Sequence, residues 1–343
     1  MGSVTSKAQG GHNQTTTSAR GCCLVGPTWA STSAAVAVGL PHNGHGRGVV
    51  APAFADDFPE RVALVPAGLL GLLPLHAAWR DDPAAPSGRR YALDETLLTY
   101  APNAVALAAA EALARETADG ALLAVDDPRP VTAAALPAAG REVEVALAAF
   151  PRSLHLRGAD ATRESVLAAL GKEPVVHFAC HGVADVADPL ASTLLMANDE
   201  KLTLRDLLTE VEARARLAVL SACETAVPGT DLPDEVVNLP AGLLEAGVAG
   251  IIGSLWSVSD TSTMALMARF YELWRREGLE PAQALRSAQQ WVRDSSNGEK
   301  RDRFPRIDEL AGPKVPAEAK PLWERAHAHR APRYWAAFAY IGV

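Results

Sequence analysis

Apolar residues gather in short runs along the chain, and most of these runs show no alternation between apolar and polar positions. The clearest are ALLAV from Ala121, VVHFA from Val175, ARLAVLSA from Ala215 and VAGIIGSLW from Val248. Runs of this length that are apolar on both faces are typical of strands in a parallel sheet covered by helices on both sides. The pattern therefore predicts an α/β fold of three layers with a mainly parallel central sheet flanked by helices.

The segments between these runs carry helical spacing and helix-end signals. Thr203 and Asp206 are spaced as a capping box, so a helix is predicted to begin after Thr203. Pro281 suits the first turn of another helix. The segment Asn103–Gly120 is predicted to be a helix closed by its glycine. The segment DETLLTYAP, from Asp94, is predicted to be a strand ended by its proline.

Residues 1–52 differ from the rest of the chain in composition. They are rich in Gly, Ser, Thr and Ala, contain no Asp or Glu, and show no sustained periodicity. Segments of this kind do not bury enough apolar surface to offset the entropy lost on ordering. We therefore predict a disordered N-terminal segment over residues 1–52 and one folded domain over residues 53–343.

The overall composition of the 343 residues argues against several classes of protein. A formal net charge of -8 disfavours general binding to nucleic acid or to an anionic membrane. No apolar run reaches the roughly 18 residues that span a bilayer, and the start of the chain lacks the features of a signal peptide. The four cysteines show no spacing typical of a disulfide framework, which indicates a reducing compartment. We expect a cytoplasmic protein with no nucleic-acid partner and no membrane partner.

Two of the apolar runs end in residues that are able to do chemistry. VVHFACHG ends in His181 and Gly182, and LAVLSACET carries Cys223 just past its apolar part. In open α/β sheets, ligands bind beyond the carboxyl ends of the strands. If the two strands are neighbours, the His181 imidazole is able to take the proton of the Cys223 thiol and make it a nucleophile. Gly182 leaves room for a substrate carbonyl, and its N–H and that of Cys223 would together form an oxyanion hole.

His177 and Cys180 are the competing candidates in the same stretch. His177 would lie about 13 Å from His181 in a regular strand, so the two do not share one metal ion. We interpret His177 as a core or supporting residue and Cys180, on the opposite face of the strand, as a packing residue. A zinc site that adds Cys223 to these residues is a weak alternative, because tetrahedral sites need more closely spaced ligands. A serine hydrolase is disfavoured because the chain has no G-x-S-x-G motif.

Four segments of the chain, in this order, resemble the CHAT domain family, which is related to caspases and to separase. They are VVHFACHG, LAVLSACET, DEVVNLPAGLLEAGVAGIIGSLWSVSD and RYWAAFAYIG. The resemblance implies a caspase-like fold over residues 53–343 and a cysteine peptidase with His181 and Cys223 as its catalytic dyad. It also implies that Asp260 lines a substrate pocket for the basic residue before the cleaved bond. Asp260 is equally suited to cap the helix predicted to start at Thr261.

The resemblance leaves two classes of function open. The first is a cysteine endopeptidase that cleaves protein or peptide substrates after Arg or Lys, in a bacterial signalling or defence pathway, with no cofactor and no metal. The second is a catalytically inactive CHAT-type scaffold or sensor that acts through protein–protein interaction. The presence of His181, Gly182 and Cys223 together favours the peptidase, because a scaffold has no need of all three. A regulatory protein partner is compatible with both classes.

Overall fold

The computed structural model of the chain describes residues 33–38, 59–66, 70–71, 73–136, 138–185, 187–211, 213–221, 238–256, 258, 260–305, 307 and 318–343. For residues 33–38 and for Asp260 it describes the backbone only. His181 and Gly182 lie within the described residues. Cys223 lies outside them.

Strands and helices alternate along most of the chain, as expected for an α/β fold. The strands are β1 (Ser33–Val38), β2 (Arg61–Pro66), β3 (Trp79–Asp81), β4 (Arg89–Tyr91), β5 (Leu97–Tyr100), β6 (Ala121–Asp126), β7 (Arg152–Arg157), β8 (Val175–Ala179), β9 (His181–Val183), β10 (Thr193–Leu195), β11 (Lys201–Thr203), β12 (Leu217–Leu220), β13 (Gly250–Ser254) and β14 (Phe338–Gly342). The α-helices are α1 (Ala92–Glu95), α2 (Ala104–Glu116), α3 (Ala139–Leu147), α4 (Arg163–Leu170), α5 (Leu204–Glu210), α6 (Leu239–Glu245), α7 (Asp260–Arg275), α8 (Pro281–Asp294), α9 (Asn297–Arg303) and α10 (Lys320–Arg325).

A sheet of nine strands forms the centre of the fold, in the order β1-β2-β5-β14-β13-β12-β8-β6-β7. Strands β13 and β14 are antiparallel, and the other neighbours in this sheet pair in parallel. Strands β13, β12, β8, β6 and β7 therefore run in one direction, and their carboxyl ends meet at one edge of the sheet. The prediction of a mainly parallel central sheet in an α/β fold is confirmed.

Helices cover both faces of this sheet and complete the three predicted layers. Val175 and Ala179 of β8 pack on the face that carries α3, α7 and α8, whereas Val176 and Phe178 pack on the face that carries α4, α5 and α6. Every residue of β8 is buried. Burial on both faces explains why the strand shows no polar alternation. Full burial of a side chain as large as that of Phe178 is worth roughly 1.5–3 kcal/mol.

A second, smaller sheet carries one residue of the predicted dyad. Strand β8 ends at Ala179, and β9 begins at His181. Strand β9 pairs antiparallel with β10, and β10 pairs antiparallel with β11. In this register His181 lies opposite Leu195, and Gly182 lies opposite Leu194. His181 is therefore held by a separate small sheet, just past the carboxyl end of β8.

Two helix starts follow the predicted local chemistry. The Asp206 N–H donates to Thr203 Oγ1 at 3.1 Å, and the Thr203 N–H donates to Asp206 Oδ2 at 2.8 Å, which completes the capping box before α5. Helix α8 begins at Pro281. Both predictions are confirmed, because each depends only on residues within one turn of the helix.

The predicted end of α2 is wrong by one turn. The helix ends at Glu116, and Gly120 does not close it. Thr117 adopts an extended backbone conformation, and its hydroxyl donates to the Leu113 carbonyl at 2.8 Å. A threonine side chain that satisfies a carbonyl of the last turn ends the helix before the glycine is reached.

The strand predicted from Asp94 is partly wrong, because its first residues form the short helix α1. The Tyr91 N–H donates to Asp94 Oδ2 at 3.0 Å. A carboxylate that reaches back to the N–H three residues earlier favours a helical turn. The chain becomes a strand only at β5.

Residues 33–38 fall within the segment predicted to be disordered, and the structure places them in β1. This strand pairs in parallel with β2, from Ser33 opposite Arg61 to Val38 opposite Pro66. The local composition does not reveal this pairing, because the partner strand β2 lies outside the segment. The prediction of a mostly disordered segment over residues 1–52 stays a prediction. The rest of residues 1–52 lies outside the described residues.

Candidate active site

The strands that lead into the two residues of the predicted dyad, β8 and β12, are neighbours in the central sheet. Phe178 is in register with Leu220, and the Ser221 N–H donates to the Phe178 carbonyl at 2.9 Å. His181 lies three residues past Phe178 in the sequence, and Cys223 lies three residues past Leu220. Neighbouring strands are about 4.8 Å apart. The two strands therefore end side by side at the same edge of the sheet, and each residue of the predicted dyad lies three positions past one member of the in-register pair Phe178 and Leu220.

His181 is partly exposed, and the loop before α3 holds its ring. Its Nε2 lies 2.8 Å from the carbonyl oxygen of Ala134. A carbonyl oxygen only accepts hydrogen bonds, so Nε2 carries a proton and donates it to this bond. Nδ1 is then the basic nitrogen of the neutral ring. The hydrogen bond thus determines which nitrogen is able to take a proton from a nucleophile.

Arg129 holds the same carbonyl in place. Its guanidinium donates to the carbonyl oxygens of Ala133 and Ala134 at 3.1 and 2.9 Å. An ion pair with Asp127, 2.9 Å between Nη2 and Oδ1, anchors the guanidinium. The Ala134 oxygen therefore accepts hydrogen bonds from both Arg129 and His181. Through this shared acceptor, Arg129 fixes the position of the imidazole.

A cavity of about 90 Å³ lies at the carboxyl ends of β8, β12 and β13. Apolar side chains form much of its described wall, among them Leu136, Ala138, Trp256, Val258 and Phe338. Cys180, next to His181, and Ser221, two residues before Cys223, also line it. The cavity therefore adjoins both strands of the predicted dyad. Glu142 is the one charged side chain among the described residues that line it.

Glu142, on α3, is 5% exposed and faces this cavity. Its Oε2 accepts a hydrogen bond from the Ser221 hydroxyl at 2.9 Å. Its Oε1 lies 3.2 Å from Nε2 of His177, but these two atoms are not aligned for a hydrogen bond. The Tyr271 hydroxyl lies 2.7 Å from Nδ1 of His177, which is completely buried. We call Glu142, Ser221, His177 and Tyr271 the Glu142 network.

The Tyr271 hydroxyl determines where the proton of His177 lies. Burial raises the pKa of Tyr271 well above its usual value, and the negative charge of Glu142 raises it further. The hydroxyl thus keeps its proton, and His177 Nδ1 is its one hydrogen-bond partner among the described residues. Nδ1 therefore accepts, and the ring proton lies on Nε2, on the side of Glu142.

Comparison with known families assigns the chain. A family model described as the CHAT domain matches residues 49–343. The chain belongs to the CHAT domain family. Comparison with curated protein sequences gives no match.

Solved structures show the fold of this CHAT domain. The crystal structure of the Saccharomyces cerevisiae separase–securin complex at 3.0 Å resolution has a TM-score of 0.53 at 12% identity and covers 82% of this chain. The structure of the same complex at 2.6 Å resolution has a TM-score of 0.52 at 12% identity and covers 84%. The CHAT domain spans only 15% and 16% of those separase–securin chains. The likeness is one of fold, and the fold is caspase-like.

The Arg-specific cysteine proteinase gingipain R is similar over 72% of the CHAT domain and 54% of its own chain. The TM-score is 0.44 at 9% identity.

None of the helices within the described residues is long and apolar enough to cross a membrane.

Two residues that line the cavity, Glu142 and Ser221, are not predicted as site residues from the sequence. A signal for Glu142 was present: Ala139, Val143 and Ala146 form the buried face of α3, and Glu142 lies on the same face. A carboxylate within the apolar stripe of a helix is a pattern that needs a partner or a ligand. Ser221 gave no such signal, because its hydroxyl gains its partner only from a helix that precedes it by many residues.

The two competing residues, His177 on β8 and Cys180 just past its end, lie where the sequence predicts them. His177 is buried, and Cys180 is a free, buried cysteine on the other face of the sheet. Burial raises the pKa of the Cys180 thiol far above its usual value, which makes it a poor nucleophile. Among the residues that the structure describes, no group of three or more His, Cys, Asp and Glu side chains is placed to hold a metal ion.

Asp260 is the first residue of α7, one position before the predicted helix start. Its side chain lies outside the described part of the structure. Trp256, Val258 and Thr263, which lie on either side of it in the sequence, line the cavity. The connection between β13 and α7 therefore runs along the cavity wall. The substrate-binding role of Asp260 stays a prediction, as does the oxyanion role of the Gly182 N–H.

Proposed function

We propose that this CHAT domain is a cysteine endopeptidase with His181 and Cys223 as its catalytic dyad. The observation that carries the proposal is the register of β8 and β12, from which both residues follow at the same spacing. An imidazole beside a thiol favours the thiolate–imidazolium pair, and the thiolate is the reactive form of cysteine. The caspase-like fold supports the same assignment.

In the proposed reaction, Nδ1 of His181 takes the proton of the Cys223 thiol, because Nε2 already donates to Ala134. The thiolate attacks the carbonyl carbon of the scissile bond, and the carbonyl electron pair moves to oxygen. The N–H groups of Gly182 and Cys223 stabilise this oxyanion. The imidazolium gives its proton to the leaving nitrogen as the C–N bond breaks. Water, deprotonated by the same imidazole, then hydrolyses the thioester and restores the thiol.

As part of this proposal, the cleaved bond follows Arg or Lys, whose side chain enters the cavity beside the dyad. Two features support this preference. Glu142 places a negative charge in the cavity wall, and Asp260 begins the helix whose preceding connection runs along that wall. The reaction as proposed needs no metal and no cofactor. We propose protein or peptide substrates, a regulatory protein partner, and a cytoplasmic bacterial signalling or defence pathway as the setting.

Cleavage of a positional peptide library by the full chain tests the dyad. We expect cleavage after Arg or Lys, a loss of at least about 1,000-fold in Cys223→Ala, and no change in the matched control Cys22→Ala. Cleavage that survives Cys223→Ala would show that the nucleophile is assigned wrongly. A wild-type chain that cleaves no peptide would favour the scaffold.

The role of Asp260 has a test of its own. We expect Asp260→Ala to lower cleavage after Arg and Lys relative to cleavage after uncharged residues, with Thr261→Ala as the control at the next position. If the ratio stays the same in both variants, Asp260 does not determine the preference for basic residues.

A further inference from the structure

Residues 325–343 carry an excess of positive charge in a chain that is acidic as a whole. They contain three arginines and two histidines and no Asp or Glu, whereas the formal net charge of the chain is -8. The three arginines, Arg325, Arg330 and Arg333, lie in the segment that leads into β14. Arg325 and Arg333 are exposed, and Arg330 is partly exposed. We call the surface that these three side chains form the basic face.

The positive charge of the basic face is not balanced by a carboxylate within the part of the chain that the structure describes. None of its three arginines forms an ion pair there. Three carboxylates on α8, α9 and α10 are engaged elsewhere. Asp294 pairs with Arg293 and Glu324 pairs with Arg301, both at 2.6 Å, and the Glu299 carboxylate caps the start of α9. An anion that balances this charge has to come from a ligand.

Two tryptophans hold the backbone of the basic face. The Trp335 indole N–H donates to the Arg330 carbonyl at 3.1 Å, and the Trp256 indole N–H donates to the Arg333 carbonyl at 3.2 Å. Trp335 is completely buried, and Trp256 lines the cavity of the candidate active site. A backbone that is held in place lowers the entropy lost when a ligand binds. The basic face is therefore a prepared surface, and it borders the cavity.

Tyr334 orients the Arg333 guanidinium. The guanidinium lies 4.6 Å from the centroid of the Tyr334 ring, and its Nη2 donates to the Tyr334 hydroxyl at 2.9 Å. Among the described residues the Arg333 side chain has no other hydrogen-bond partner. A guanidinium has five N–H donors, so its remaining donors are available to a ligand.

Lys300 adds a buried cation close to Arg330. It is 1% exposed, and its ammonium donates to the Ser295 carbonyl. Burial, together with the charge of Arg330, lowers the pKa of Lys300 to about 8. Burial and the charge of Lys300 lower the pKa of His329 to about 4, so this ring is neutral at pH 7. The electrostatic environment around Arg330 is thus positive, and it favours an anionic ligand.

We infer that the basic face binds an acidic polypeptide segment of a protein partner, whose Asp or Glu carboxylates pair with Arg325, Arg330 and Arg333. Arginine suits this role because its planar guanidinium binds a carboxylate through two parallel N–H···O bonds. The inference does not rest on the proposed peptidase function, because it concerns binding at a surface outside the dyad. A segment bound here lies next to Trp256, and its owner is thereby held beside the cavity.

Two observations favour a polypeptide over a nucleic acid as the ligand. The net charge of -8 repels a long polyanion, whereas a short acidic segment contacts the basic face alone. Proteins that bind single-stranded nucleic acid stack bases on exposed aromatic rings. The Tyr334 ring is already covered by the Arg333 guanidinium and packs against the His329 ring at 5.2 Å between centroids.

Isothermal titration of the full chain with hexaglutamate, blocked at both ends, tests the inference. Hexaglutamine, which has the same length and no charge, is the control peptide. We expect hexaglutamate to bind at least about 10-fold more tightly than hexaglutamine, and its affinity to fall as the ionic strength rises from about 0.05 to 0.3 M. Equal affinities for the two peptides would overturn the inference.

Removal of two charges locates the binding surface. Arg330→Ala combined with Arg333→Ala should lower the affinity for hexaglutamate at least about 10-fold. The matched control combines Arg152→Ala with Arg276→Ala, two exposed arginines on other surfaces that form no ion pair within the described ranges. It should stay within about twofold of the wild type. Equal losses in both double variants would show that the peptide responds only to the overall charge of the chain, and the inference would be wrong.

Arg325→Glu gives a second, independent test, because the Arg325 side chain is exposed and bonds only the Pro321 carbonyl of its own helix among the described residues. We expect the reversed charge to lower the affinity for hexaglutamate at least about 10-fold while the melting temperature stays within about 2 °C of the wild type. An unchanged affinity would exclude Arg325 from the binding surface and contradict the inference as stated.

An oligothymidylate of 12 nucleotides, roughly the length that one single-strand binding fold covers, distinguishes the two classes of ligand. We expect it to bind more weakly than hexaglutamate. If it binds more tightly, and the substitutions at Arg330 and Arg333 abolish that binding, the basic face is a nucleic-acid site and the inference is overturned.

Discussion

His177 and His181 belong to the same short stretch of chain and have opposite surroundings. His177 is completely buried between Tyr271 and Glu142, whereas His181 is partly exposed and bonded to a loop carbonyl. The end of β8 at Ala179 separates them. A histidine before that point is packed on both sides and has a fixed tautomer. A histidine after it lies at the edge of the sheet, where a substrate is able to reach it. The position relative to a strand end, rather than the residue type, therefore determines how buried each histidine is.

Alanine at each histidine should give opposite results. His181→Ala should lower kcat/KM by at least about 1,000-fold and leave the melting temperature within about 2 °C of the wild type, because its ring supports little packing. His177→Ala should lower the free energy of unfolding by about 3 kcal/mol, because it leaves the buried Tyr271 hydroxyl without its partner and creates a cavity in the core. Denaturant unfolding and peptide cleavage measure the two effects. A large loss of stability in His181→Ala would contradict the proposed difference between the two histidines.

Arg129→Ala should lower kcat about 10-fold with little change in KM, because the Ala134 carbonyl loses the guanidinium that holds it. Arg152→Ala, at an exposed position on β7, is the control. In a chain that already carries His181→Ala, the Arg129 substitution should have no further effect on kcat. Independent, additive losses would mean that Arg129 does not act through His181.

Tyr271→Phe should lower the free energy of unfolding by about 1 kcal/mol, because Nδ1 of the buried His177 loses its hydrogen-bond partner. Denaturant unfolding measures the loss.

Tyr334→Phe, outside the Glu142 network, is the control for this experiment and should leave the free energy of unfolding unchanged. An equal loss of stability in both variants would show that the hydrogen bond between Tyr271 and His177 does not contribute to stability.

Treatment with a thiol reagent should have the smallest effect, because the Cys180 thiol should not react in the folded chain. Burial raises the pKa of its thiol far above the usual value, so little thiolate forms at neutral pH. We expect iodoacetamide at neutral pH to leave Cys180 unmodified in the folded chain and to modify it after unfolding. Peptide mass mapping measures the modification at each cysteine. Rapid modification of Cys180 in the folded chain would contradict its burial, whereas modification of Cys223 alone would agree with the proposed dyad.

Much of the fold is predictable from local patterns in the sequence. Uninterrupted apolar runs identify β8 and β12 because both faces of these strands are buried. The capping box at Thr203 and the proline at Pro281 depend on residues within one helical turn, so they too are predictable. Helix α2 ends before the predicted glycine, because the Thr117 side chain bonds a carbonyl of its last turn. Helix α1 forms where a strand is predicted, because the Asp94 side chain bonds the Tyr91 N–H.

The sequence by itself determined the α/β class, the two strands that lead to His181 and Cys223, and the burial of His177, because each of these features depends on the pattern of neighbouring residues. Only the tertiary structure decided that Ser221 bonds Glu142, 79 residues away, and that His181 bonds Ala134, 47 residues away. These contacts form when β8 and β12 bring their ends against α3 and the loop before it. No local periodicity encodes such contacts, because their energy depends on the distance in space and not on the distance along the chain.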